Sequence, residues 1–161
     1  MRAAAMLLTA ALGLAPVLAG CGFTPLYAQG VAGTEASRIA VNTPDDRLGY
    51  RLREQLEDAL AVNRSAAPLR TLDVQVESAR RPLGRRIDDT ATRYELTVRA
   101  AWTLTSAPGG DPVAGVETAT VTYAAADQPF AAIAAQQDGE DRAAADLARL
   151  LRLDILRALS Q

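Results

Sequence analysis

Four arginines fall within seven positions, Arg80, Arg81, Arg85 and Arg86, in the stretch Ser78–Asp89. Guanidinium forks match phosphate oxygens in bidentate geometry, so this cluster is the first place to look for recognition of an anion. Pro82 and Gly84 remove the stretch from regular strand, which puts it in a loop. Three readings stay open: a phosphate contact, pairing with acidic residues of a protein partner, or a solvated turn partly neutralised by Asp88 and Asp89. The carboxylate pairs Asp45/Asp46 and Asp88/Asp89 raise acid–base or cation chemistry. Sequence-adjacent carboxylates diverge in a strand, and Asp45/Asp46 belong to a helix start, so catalysis is not expected. The chain has no His and one Cys, Cys21. A His-centred triad, a His- or Cys-rich zinc site and an internal disulfide are excluded, and no Gly-rich phosphate loop is present. No cofactor is expected beyond a covalent lipid on Cys21.

Residues 1–20 carry Arg2, an apolar run from Ala3 to Leu14, Pro16, and the small residues Ala19 and Gly20. That is the order of a secretory leader, and the run is too short to span a membrane, which takes ~20 residues. Leu18-Ala19-Gly20-Cys21 resembles the lipobox of bacterial lipoproteins. The resemblance implies a diacylglyceryl group on the Cys21 thiol and a membrane anchor; the other reading is an ordinary leader beside an unpaired thiol. Residue 22 is Gly rather than Asp, which by the same resemblance points to the outer membrane, with the domain facing the periplasm. With Arg2 in the leader, the remaining 16 Arg stand against 19 Asp and Glu, a net charge of −3. Such a chain is not a general nucleic-acid binder.

The rest of the chain supplies one α+β domain. Residues 21–36 read as a lipidated tether and 37–161 as a single domain. Ser37–Asn42 is a short strand. Thr43 is placed as helix N-cap with Pro44 at the first helical position, and Leu48, Leu52, Leu56 and Leu60 recur every four residues as the buried stripe of a helix. Thr71–Glu77, Thr90–Thr105 and Val116–Ala125 alternate as half-buried strands. Leu72, Val74 and Val76, then Tyr94, Leu96, Val98, Ala100, Trp102 and Leu104, then Val121 and Tyr123 face inward. Pro129–Leu159 turns helical, with Asp138-Gly139 as a break or a fresh start. The order β-α-β-β-β-α predicts a two-layer domain, a four-stranded mixed sheet with two helices packed on one face.

Cys21-Gly22-Phe23-Thr24-Pro25-Leu26-Tyr27, this element order, and Ile133–Asp138 leading into an Arg- and Leu-rich helix together resemble the lipopolysaccharide-assembly lipoprotein family LptE, in its alphaproteobacterial form. The resemblance implies a non-enzymatic outer-membrane lipoprotein. It would plug and help assemble the LptD β-barrel translocon and assist lipopolysaccharide on its way to the cell surface. Under it, Arg80, Arg81, Arg85 and Arg86 become candidates for lipopolysaccharide phosphates. Phe23, Leu26 and Tyr27 either pack on the sheet or at the bilayer interface, or dock on the barrel wall. Leu153 and Leu156 lie ~200° and ~140° from the Leu147/Leu151/Ile155 stripe at 100° per residue, so they either meet the barrel or are simply exposed. The competing function is an auxiliary lipoprotein of a periplasmic phospholipid-transport system, which would need a cavity between sheet and helices.

Overall fold

The computed structural model describes residues 31–85, 87, 90–106 and 109–160, and of residues 31, 32 and 85 the backbone only. Cys21, Phe23, Leu26, Tyr27, Arg86, Asp88 and Asp89 lie outside the described residues. The elements run α1 (Val31–Ala36), β1 (Ile39–Asn42), α2 (Arg47–Ala59), β2 (Arg70–Arg85), β3 (Ala91–Ser106), β4 (Val113–Ala124) and α3 (Pro129–Leu159). The sheet order is β1-β2-β3-β4. β1 runs parallel to β2, because α2 carries the chain back between them, and β2–β3 and β3–β4 are antiparallel.

Period-2 alternation sets which sheet face is dry. Leu72, Val74, Leu96, Val98, Ala100, Trp102, Leu104, Ala119, Val121 and Tyr123 are all buried on one side. Against them pack Leu52 and Leu56 of α2 and Leu147, Leu151 and Ile155 of α3. Among the described residues the other face carries no helix. It is rich in threonine and paired charge: Arg99 meets Glu77 at 3.7 Å, and Thr97 Oγ1 lies 3.4 Å from Thr120 Oγ1. The two helices are also tied to each other, by Arg47 to Glu140 (3.5 Å) and Asp141 (3.1 Å), and by Arg51 to Asp141 (3.3 Å).

Four local expectations change. Helix α2 starts at Arg47, not Pro44: Asp46 is the N-cap, its carboxylate accepting from the Gly49 N–H at 2.6 Å. A Cβ on Gly49 would sit 2.2 Å from the Pro44 carbonyl oxygen, so the turn before the helix folds back over its first residues. Within the expected tether, Val31–Ala36 form a short helix, with Ala36 buried and Glu35 ion-paired to Arg70 at 2.8 Å. Strand β2 does not stop at Glu77 but runs to Arg85. Beyond Asp73 it has left β1 behind and is an edge, where a proline is tolerated; Pro82 pairs in register with Tyr94. Helix α3 is continuous through Gly139. That glycine lies against Tyr123, where a Cβ would come within 2.8 Å of Cδ1, so it is a close-packing residue rather than a break.

Candidate functional site

The extension of β2 takes the arginine cluster apart. Arg80 shares the parity of Leu72, Val74 and Val76, so it stands on the helix-bearing side of the sheet. Arg81 points the opposite way and donates to Glu95 Oε1 at 2.6 Å. Arg85 is the last residue of β2, paired with Ala91. The expected single loop carrying four arginines is therefore corrected. Alternation along a strand puts neighbours on opposite faces, and the strand continues where the Pro and Gly had signalled a loop.

Arg80 gathers partners from three elements. Its guanidinium lies 4.8 Å from the centroid of the Tyr94 ring on β3, and Nη1 donates to Gln136 Oε1 on α3 at 3.2 Å. Gln136 Nε2 in turn donates to Glu140 Oε1 at 2.9 Å, and Glu140 holds Arg47 of α2. Tyr94 and Tyr123 are stacked at 5.6 Å with their planes tilted by 33°. The Tyr123 phenol, as a hydrogen-bonding neighbour of the guanidinium, is the main influence that holds the Arg80 pKa above its usual value, and Tyr94 adds to it. Tyr123 is buried, and its hydroxyl has no partner in hydrogen-bonding geometry. Arg80, Tyr123 and Gln136 line two adjoining cavities of about 330 Å³ and 300 Å³, one opening toward Asp46 and Arg47, the other toward Ala125 and Ile133. A permanent cation, a buried donor and an apolar floor that includes Val76 and Leu96 can receive an anionic group bearing an apolar body.

Nothing in the arginine pattern pointed to Tyr123, Gln136 or Arg47, which lie far from Arg80 along the chain. The inward parity of Tyr94 and Tyr123 on neighbouring strands was the one sequence signal for the pocket, and it reads first as core. At the other candidate surface, Leu153 is 52% exposed, whereas Leu156 is half-buried against the core. The two leucines therefore do not form one exposed face. Beside Leu153 a groove of about 490 Å³ runs between α3 and β4. Among the described residues no cluster of His, Cys, Asp or Glu could hold a metal ion, and no helix is long and apolar enough to cross a membrane.

The family model described as LptE: Lipopolysaccharide-assembly matches residues 36–155, nearly the whole of this domain. The chain belongs to the LptE family. A lipoprotein of Caulobacter crescentus CB15, known from its crystal structure, is 38% identical, with 81% of this chain and 96% of that one covered and a TM-score of 0.69. A minor lipoprotein of Acinetobacter baumannii is 16% identical over 76% of this chain and 92% of its own, with a TM-score of 0.53, and shares the fold. No curated protein matches the sequence significantly. LptE members are lipopolysaccharide-assembly lipoproteins, and membership places this chain in that role.

Proposed function

We propose that this chain is an outer-membrane lipoprotein, anchored through a lipid on Cys21 by the segment ahead of Val31, whose domain plugs an LptD-type β-barrel and assists lipopolysaccharide passing to the cell surface. The family match over residues 36–155 carries this reading. Two features of the domain support it. The helix-free sheet face is polar and charge-paired, which suits the polar interior of a large membrane barrel. Arg80 stands in a pocket over the Tyr94 ring and beside the Tyr123 phenol, an arrangement suited to a lipid phosphate. The candidate contacts are then Arg80 for the phosphate, and Leu153 with Phe23, Leu26 and Tyr27 for the barrel. Arg81 lies on the opposite side of the sheet and is assigned to the barrel-facing surface instead.

The role requires no chemical step. It requires binding, shape and a fixed position at the membrane. Affinity isolation of the full chain from outer membranes tests it. Copurification of an LptD-sized barrel is the expected result. Recovery of inner-membrane transporter subunits instead would replace it with the phospholipid-transport reading.

A further inference from the structure

Gln136 is held between a cation and an anion. Its Oε1 accepts from Arg80 Nη1 at 3.2 Å, and its Nε2 donates to Glu140 Oε1 at 2.9 Å, one turn further along α3. Only this orientation of the amide serves both neighbours, because a guanidinium has no acceptor and a carboxylate has no donor. The two carboxylates lining the cavity of about 330 Å³ are already engaged. Asp46 caps α2 through the Gly49 N–H, and Glu140 meets Arg47 at 3.5 Å. A neutral side chain therefore stands between Arg80 and Glu140, and the acceptor that Arg80 meets on α3 is an amide oxygen.

That oxygen takes the place at Arg80 that an anionic oxygen would take. Arg80, Tyr123 and Gln136 line both the 330 Å³ cavity and its neighbour of about 300 Å³, so the Arg80–Gln136 bridge runs from β2 to α3 where the two meet. A phosphate oxygen that reaches Nη1 has to displace the amide. The exchange favours the anion, because hydrogen bonds to ionised groups are roughly twice as strong as those between neutral groups. A sugar hydroxyl offers only a neutral acceptor, no better than the amide, and the amide is already positioned by the helix. The bridge thus yields to an anion and resists a neutral group, and its release joins the two cavities.

We propose that Gln136 is a placeholder for the ligand's phosphate: it satisfies Arg80 until an anion displaces it, and it sets the preference of this site for phosphorylated over neutral groups. The proposal rests on the reading of Arg80 as the phosphate contact, and the test separates the two. The full chain in detergent is titrated with purified lipopolysaccharide and with the same material dephosphorylated. Gln136 is exposed, and Gln136→Leu keeps its bulk while removing the acceptor. This variant is expected to bind phosphorylated lipopolysaccharide roughly threefold to tenfold more tightly than wild type, since the competing bond is gone. A residue that merely supported the site would give a loss instead. Dephosphorylated material is expected to bind Gln136→Leu and wild type alike. Binding of the phosphorylated form by Gln136→Leu at or below the wild-type level overturns the proposal. If Arg80→Ala has lost binding in that case, the phosphate reading of Arg80 survives; if Arg80→Ala binds as wild type does, both fall. A tightening that persists with dephosphorylated material, or in the Arg80→Ala background, comes from apolar contact with the new leucine and overturns the proposal as well.

Discussion

Arg80 lies over Tyr94 with its guanidinium carbon 4.8 Å from the ring centroid, and Arg81, the next residue, faces the other way to meet Glu95. The two positions should therefore separate in function. Arg80→Ala removes the cation of the pocket, and charge-assisted hydrogen bonds contribute about 1.5–3 kcal/mol, so binding of lipopolysaccharide should weaken by about tenfold or more. Arg81→Ala removes an exposed ion pair and should leave that binding within about twofold, since such pairs contribute ~0–1 kcal/mol. Titration of both purified variants with lipopolysaccharide decides it. Equal losses would mean that face, and hence the Tyr123 pocket, is irrelevant.

Gly139 and Tyr123 form a packing pair across the helix–sheet interface. In an ordinary helix interior, Gly→Ala stabilises by ~1 kcal/mol. Here the new methyl would meet Tyr123 Cδ1 at 2.8 Å, and overpacking costs about 1–3 kcal/mol, so Gly139→Ala should destabilise. In a Tyr123→Ala background the same change should stabilise. Urea midpoints for the four proteins of that cycle give the sign directly.

Leu96 and Thr97 test the assignment of sheet faces. Leu96 is buried at 6% exposure, and Leu96→Ala should cost ~2–5 kcal/mol. Thr97 is exposed on the helix-free face and touches only Thr120 in the hydrogen-bond network, so Thr97→Ala should stay within about 0.5 kcal/mol. Denaturation curves of matched slope but equal midpoint would contradict the parity.

The Glu117 carboxyl is held above the usual carboxylate range, first by its hydrogen bond with Asp154, then by partial desolvation and the like charge of Asp154. The folded chain thus keeps a proton that the unfolded chain has already released. The stabilisation is complete below the ordinary glutamate pKa and is lost as pH rises through the raised value. Stability should fall across that interval in wild type, and Glu117→Gln should flatten the fall. Urea midpoints measured from about pH 4 to about pH 7 read it out.

The alternating faces, the element order and the buried stripe on α3 were legible because each depends on a local period. Trp102 and Leu104 went inward for the reason that any residue of that parity must. What escaped were features decided by a distant neighbour. Pro82 looked like the end of a strand, yet it sits where β1 has already stopped and no N–H is demanded. Thr43 and Asp46 are both good caps, and the choice between them rests on how the Pro44 carbonyl folds against Gly49. Gly139 read as an interruption because Tyr123, which explains it, is on another element. The Arg80 site was half visible for the same reason: the cation was evident in the chain, and its surroundings come from β3, β4 and α3.

The continuity of α3 has a mechanical consequence. With 31 residues in one helix, it is a rod of about 46 Å, and the stretch from Gln136 beside Arg80 to Asp154 beside Glu117, about 27 Å of it, has no hinge. A body stiffened along its whole length has little internal freedom to surrender when it is confined. In the proposed plug role it would enter the barrel as a rigid piece, and the depth of the barrel would have to accommodate the rod rather than the reverse.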